Sequence, residues 1–492
     1  MKINKKLITY FFIELALCLF LFFFIFQNNV IDKSNIYNME QILGIFTVIN
    51  FTVTIIYINK IKKEYFSIST LFVIFLYMFN LGIPISRLFG WINHDTELFL
   101  NRRIYSMGYN TFVEYSFYAY LLITFLQIGL MYFYSSKCKG KNYKYKIYDN
   151  AKYELGLKQC VYIGKILLVL GIIPYLIQES NQIYYSIKYG YQNPENIFYL
   201  SGTGIGLIGG LVYLAIILLL YGYQNNKSKF NIIFAITCLY QIIRMYITGD
   251  RSTGISLIFV ILLMRHKFIS PIKGKKIILY GILAYIMLLF IKLVELTRHI
   301  DSLSANEVLS EIIKDNMLAE TMSEYGGNVW CGMMIYYSVP STGSFRFGLT
   351  YIAAIIGKPL QVLGITDSIW RFADFSNFLI KPERGRLINT LTSAMGGSFS
   401  GEWYFNFGWI GIFIIPLFGY FLGWFSDSCT DKSKNPVLSS FFLYVSTLLI
   451  WWIRQYFTSV SWNTLVYGVL LYIIYWIVLK RYKYKKNTVK DL

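Results

Sequence analysis

An all-α polytopic membrane protein, with about twelve transmembrane helices and a large extracytoplasmic loop containing amphipathic helices, is the fold class this sequence predicts. Three observations predict it. Hydrophobic residues make up 56% of the 492 and charged residues 15%, a balance that leaves too little polar surface to wrap a water-soluble fold. Apolar runs long enough for a hydrocarbon core of ~30 Å recur along the chain. The net charge of +20 is gathered in short clusters between those runs, where Lys and Arg orient helices, so no nucleic-acid partner is expected.

The runs lie near 7–26, 40–59, 67–89, 112–134, 159–178, 201–223, 230–248, 253–265, 277–294, 408–425, 437–453 and 461–479. The first follows Lys2, Lys5 and Lys6 and is too long for the apolar region of a signal peptide, with no small-residue cleavage site, so it reads as an uncleaved helix. An even number of spans puts both termini on one side. The termini and the connections near 60–65, 135–158, 224–229, 265–276, 426–436 and 480–492 hold 28 Lys and Arg, against 14 opposite, eight of them in one long loop. Both ends are therefore expected in the cytoplasm. Six cysteines, Cys18, Cys138, Cys160, Cys238, Cys331 and Cys429, show no paired spacing, so neither a disulfide framework nor a zinc site is expected.

Three segments follow from this reading: a membrane bundle over 1–294 with nine spans, a loop over 295–407, and a second bundle portion over 408–492 with three spans and a cytoplasmic tail. A connection of some 110 residues is far beyond the ~2–8 usual in compact domains, and loops of that size carry function. Inside it, Ser304 to Glu307 reads as a capping box opening an amphipathic helix toward Tyr325. Phe345 to Leu363 is apolar but interrupted by Gly348, Gly357 and Pro359, which suits an interfacial or re-entrant helix. The loop is expected to fold over the membrane face.

Several motifs carry candidate chemistry. Gly204 to Gly209 spells a dinucleotide fingerprint, but it opens a span and follows no strand; close packing through Gly202, Gly206 and Gly210 is the better account. Arg244 and Arg251 are seven residues apart, so on one continuous helix they share a face and could bind a lipid-linked phosphate. Against that, Arg251 could simply pair with Asp250. Lys292, Glu295, Arg298 and His299 emerge together at the end of the ninth span, where they could line a site or form local pairs. A histidine side chain ordinarily titrates near neutrality, which makes His299 a candidate proton acceptor. Glu402, in Gly396 to Gly408, is a carboxylate next to lipid and needs a partner or a task. It could deprotonate a sugar hydroxyl, or accept hydrogen bonds from one of Arg346, Arg371, Arg384, Arg386 and Arg454 and order the loop.

Taken in order, Thr248-Gly249-Asp250-Arg251, the Arg298 region, Phe345-Arg346-Phe347-Gly348-Leu349-Thr350-Tyr351, and Gly397-Ser398 through Glu402 to Gly411 resemble the oligosaccharide repeat-unit polymerases, the O-antigen polysaccharide polymerase or Wzy family. The resemblance covers roughly 200–460 in motif and the whole chain in topology. It implies a bacterial cytoplasmic-membrane glycosyltransferase that joins undecaprenyl-pyrophosphate-linked oligosaccharides at the outer face, for O-antigen, capsule or exopolysaccharide. It also implies no nucleotide-sugar, cofactor or metal, and a chain-length regulator and a flippase as partners besides the bilayer. On this view Arg251, Arg298 and Arg454, with Arg244 and Arg346, hold pyrophosphate and substrate, and His299 or Glu402 is the catalytic base. A glycan ligase would share this topology. A flippase or transporter would show internal repeats and broken helices near mid-membrane, which the sequence does not display.

Overall fold

The structure, a computed structural model, describes residues 5–27, 33–62, 64–92, 107, 109–139, 150–189, 204–248, 251–272, 317–341, 343–366, 368–373, 397–431 and 433–488. Among these residues all regular structure is helical. In chain order the helices are α1 (Lys5–Gln27), α2 (Lys33–Lys62), α3 (Ile68–Leu88), α4 (Tyr109–Lys139), α5 (Asn150–Tyr189), α6 (Gly204–Gly209), α7 (Leu211–Gly222), α8 (Lys227–Thr248) and α9 (Arg251–Phe268). There follow α10 (Met317–Gly326), α11 (Val329–Ser338), α12 (Leu349–Val362), α13 (Ser368–Ala373), α14 (Phe399–Phe407), α15 (Gly411–Ser428), α16 (Pro436–Trp452) and α17 (Phe457–Thr488).

Nine stretches among the described residues are long and apolar enough to cross a membrane: α1 to α5, α6–α7 together, α8, α14–α15 together, and α17. α9 and α16 occupy the eighth and eleventh expected spans with 18 and 17 residues. The ninth expected span, 277–294, and the capping box at Ser304 lie outside the described residues.

Side-chain pairs fix the helix directions. Tyr10 meets Thr54 at 3.0 Å and Glu14 meets Asn50 at 2.8 Å, so α1 and α2 are antiparallel. Asn435, the N-cap of α16, donates to Tyr475 of α17 at 2.7 Å, and a Cβ on Gly468 would touch the Phe441 ring, so this pair is antiparallel too. One end of the bundle gathers the last turns of α2, α4, α9 and α15. There Lys62 pairs with Asp427 at 3.1 Å and donates to Tyr134 at 3.1 Å, while Lys267 pairs with Glu64. This basic end also receives the start of α1 and the end of α17. The opposite, far end carries the last turns of α3, α8 and α16 and the first turns of α4, α9 and α17.

Between the ends the first four helices are pinned by uncharged polar groups and one carboxyl. The Asn50 amide donates to Glu14 at 2.8 Å and to Thr124 at 2.7 Å, Tyr77 donates to Asn50 at 2.5 Å, and Gln127 donates to Tyr77 at 2.8 Å. With no water to compete, such bonds specify which helix faces which. Elsewhere small residues let backbones meet: a Cβ on Gly419 of α15 would collide with the Leu126 carbonyl of α4. Of the expected glycine stripe, Gly210 leaves room for the Tyr467 hydroxyl of α17, which a Cβ there would strike; beside it, a Cβ on Gly209 would lie 3.2 Å from Tyr175 of α5, and Gly202 lies outside the described residues. α6 ends at that point, and Gly206 turns its carbonyl to the Gly210 N–H at 3.1 Å.

Part of the expected loop lies inside the bundle and not over its face. α10 packs on α3 backbone to backbone, where a Cβ on Gly82 would lie 2.8 Å from Gly326 Cα. α11 packs on α4 with Gly332 against the Tyr115 ring. Val329 to Ile335 and Phe399 to Asn406 are fully buried in the same core as the spans. The physical reason is in the residues: α11 carries no charge, so every face of it seeks apolar neighbours. The interrupted apolar segment that follows Phe345 forms α12. Its buried face is Thr350, Ala353, Ala354 and Gly357, while Leu349, Ile352, Ile355 and Ile356 are exposed. Small residues face α17, where Ser461 donates to the Ala354 carbonyl at 3.1 Å.

Candidate active site

Arg454 stands in the turn from α16 to α17 at the far end. Its N–H donates to the Trp451 carbonyl at 3.1 Å, and its carbonyl accepts from the Gly397 N–H at 2.7 Å. Asn328, between α10 and α11, donates to the Gly397 carbonyl at 2.7 Å. The backbone that carries Arg454 is thus held from two directions. Its half-buried guanidinium lines a cleft with Phe75 and Phe79 of α3, Ile255 and Ser256 of α9, and Tyr325 of α10. Among the described residues it has no hydrogen bond or ion pair. Its field reaches α11: burial pushes the Cys331 thiol up to about 12, against a smaller lowering by Arg454. A guanidinium placed without a counter-charge among apolar walls is costly unless a ligand supplies the charge.

Glu402 sits on α14 beneath that turn with 1% of its surface exposed. Its carboxylate accepts from the Trp452 indole at 2.7 Å and from the Phe457 N–H at 3.2 Å. It therefore ties the last residue of α16 to the first of α17, and Arg454 lies between them. Ser398 caps α14 by accepting from the Gly401 N–H at 3.2 Å, and the Tyr115 hydroxyl shares hydrogen bonds with Ser398 at 3.0 Å and Ser400 at 2.6 Å.

Arg346 meets the other end of α14. Its N–H donates to the Phe405 carbonyl at 3.1 Å, Phe347 donates to the Asn406 carbonyl at 2.7 Å, and Thr350 donates to the Asn406 side chain at 2.7 Å. The guanidinium lies 4.9 Å from the Phe372 ring and 5.5 Å from the Phe405 ring, a cation–π arrangement that fixes its direction. α14 has nine residues, so Arg346 and Arg454 are separated by about 13 Å of helix.

The model of the O-antigen polysaccharide polymerase Wzy family matches residues 8–487. The chain belongs to this family. No curated protein and no solved structure matches. Membership of the Wzy family makes it a multi-pass membrane protein of polysaccharide biosynthesis, and it supports polymerase activity on lipid-linked repeat units.

For a Wzy protein the placement of the remaining candidates matters. Arg244 and Arg251 do not share one helical face: α8 ends at Thr248 and α9 begins at Arg251, packed back so that a Cβ on Gly254 would lie 2.9 Å from Met245 Sδ. Gly249 and Asp250, poor helix formers, separate the two helices in sequence. Arg244 is buried and donates to Glu179 at 2.8 Å and Gln182 at 3.1 Å, both on α5. Arg251 opens α9 five residues before Ser256, so α9 enters the Arg454 cleft within about 8 Å of axial rise. Arg298 and His299, with Lys292 and Glu295, lie outside the described residues, as do Arg384 and Arg386. Lys165, a cation inside the apolar run 159–178, is exposed on α5. Among the described residues no group of three His, Cys, Asp or Glu side chains is placed to hold a metal ion.

Sequence reasoning passed over Asn328, Trp452 and the Tyr115–Ser398–Ser400–Asn80 cluster. Only the small residues before Glu402 offered a signal, since every other member depends on partners far along the chain. Glu114 was passed over too; it accepts from the Tyr336 hydroxyl at 3.1 Å.

Proposed function

We propose that this protein joins undecaprenyl-pyrophosphate-linked oligosaccharides at the outer face of the bacterial cytoplasmic membrane, with both termini in the cytoplasm. The observation that carries the reading is the Arg454 guanidinium, held by its backbone, without a protein counter-charge among the described residues, in a cleft that the first turns of α9 enter. A hydroxyl of the acceptor sugar attacks the anomeric carbon of the donor. The bond to pyrophosphate breaks as the glycosidic bond forms, and negative charge grows on the leaving phosphate oxygen. Arg454 and Arg251 stabilise that charge in a site poor in water, with Arg298 as a third contributor. His299 takes the hydroxyl proton. Glu402, being buried and bonded to Trp452 and Phe457, positions Arg454 and is not the base. Arg244 holds α8 on α5, and Arg346 orients the chain that follows α11.

The test is Arg454→Ala in cells that make the polymer, with lipid-linked glycans sized on their carrier. Removing one donor to developing charge costs on the order of a hundred-fold or more in rate, so single repeat units should accumulate. Arg454→Lys, which keeps the charge but loses the fork, should restore part of the polymer. Full-length polymer from Arg454→Ala at normal protein level overturns the assignment. Undecorated long polymer on the carrier after gene deletion indicates a ligase instead.

A further inference from the structure

We propose that Glu114, Tyr336 and Trp409 form a carbohydrate subsite at the far end of the bundle, taking a sugar residue of the repeat-unit oligosaccharide away from its pyrophosphate. The proposal rests on the polymerase reading above. Its starting point is the set of carboxylates whose side chains are described at this end. Glu40 is paired with Arg87 at 2.6 Å, Glu179 with Arg244 at 2.8 Å, and Glu402 is buried on Trp452 and Phe457. Glu114 differs from all three. It is partly exposed, its one hydrogen bond is from the Tyr336 hydroxyl at 3.1 Å, and among the described residues no cation pairs with it.

Beside this carboxylate lies a group of rings. Tyr336 is 4.7 Å from Tyr404 and 6.3 Å from Trp409, which stands edge-on to Tyr118 at 5.3 Å and 87°. Tyr404 is buried and acts as backing, whereas Trp409 keeps 38% of its surface open. An open indole backed by fixed rings offers an apolar face to the C–H side of a pyranose, and the carboxylate accepts hydroxyl hydrogens in charge-assisted bonds. Interfacial belts account for aromatic rings at this depth. They do not account for a carboxylate among them with no cation among the described residues.

The subsite is tied to the Arg454 cleft by chain neighbours. Tyr115, which follows Glu114, bonds Ser398 and Ser400, and Gly397 sits on the Arg454 carbonyl at 2.7 Å. α11 runs between them, from Asn328 on Gly397 to Tyr336 on Glu114. From Asn328 to Tyr336 the helix rises about 12 Å, a distance that an oligosaccharide bridges and a phosphate group does not.

The test uses full-length protein in lipid nanodiscs and the carrier-free repeat-unit oligosaccharide hydrolysed from the same cells' glycan, with affinity read by calorimetry. Glu114→Gln keeps an acceptor for Tyr336 and should melt like the parent, yet weaken binding about ten-fold or more, the usual worth of a charge-assisted hydrogen bond. Trp409→Ala should weaken it comparably. Arg454→Ala should leave it within about two-fold, because the free sugar carries no pyrophosphate. Failure of the parent to bind the free oligosaccharide, or equal binding by Glu114→Gln, overturns the subsite. Full-length polymer from Arg454→Ala would sink the pyrophosphate assignment while leaving the Glu114 result standing, so the two failures are separable.

Discussion

Glu402 illustrates what one side chain does when its neighbours are fixed at a distance. The sequence marks it as a carboxylate near lipid that needs a partner or a task, and that much was legible. Its partners are 50 and 55 residues further along, beyond any local pattern, and they make it a strut beneath Arg454. Glu402→Gln retains a carbonyl acceptor for the Trp452 indole and should preserve the fold and most polymerisation. Glu402→Ala strands two buried donors, at about 1–3 kcal/mol each, and should lower the melting temperature and polymer yield together. Polymer lost in Glu402→Gln with melting unchanged would return Glu402 to the role of base. Arg454 was legible as an arginine at a helix end; the lack of a counter-charge beside it among the described residues was not, because that depends on α3, α9 and α10.

Among elements, long apolar helices were legible because twenty residues of hydropathy outweigh any local detail. α11 was not, since ten apolar residues inside a long loop meet no rule of length for a span. The break between α8 and α9 was half-legible: Gly249 and Asp250 mark a turn, but only packing shows that Arg244 belongs to α5 and not to Arg251. Glycine contacts are the least legible, because a glycine's partner is a backbone elsewhere. Gly419→Leu would drive a side chain into the Leu126 carbonyl. An overpacked contact of this kind costs about 1–3 kcal/mol, so the purified protein should melt earlier. Ile410→Ala, at a 63% exposed position nearby, should not. Equal melting of Gly419→Leu and the parent would show that α4 and α15 separate freely.

For the whole molecule, the distribution of Lys and Arg predicts which connections share a side, and the helix directions group those described at one end. Which end faces the cytoplasm is testable. The five described native cysteines are buried or half-buried, so introduced ones can be read over a low background. Ser341→Cys, exposed at the far end, should react with a membrane-impermeant thiol reagent on intact cells once the outer layers are permeable to it, and Asn225→Cys should not. The reverse pattern would invert the molecule and remove the far-end cleft from the side that the proposed reaction requires. That α10, α11 and α14, drawn from the expected loop, pack in the core was not legible, since it depends on slots left by α3 and α4.

Those slots have a consequence in time. Asn80 on α3 and Tyr115 on α4 find their hydroxyl partners, Ser398 and Ser400, only 283 to 320 residues later in the chain. A ribosome adding roughly 5–20 residues per second leaves these groups waiting for on the order of half a minute. During that interval Asn80 and Tyr115 are without these partners, and an unmade hydrogen bond at a buried site costs about 1–3 kcal/mol, so the early helices reach their final packing only after residue 400 is made.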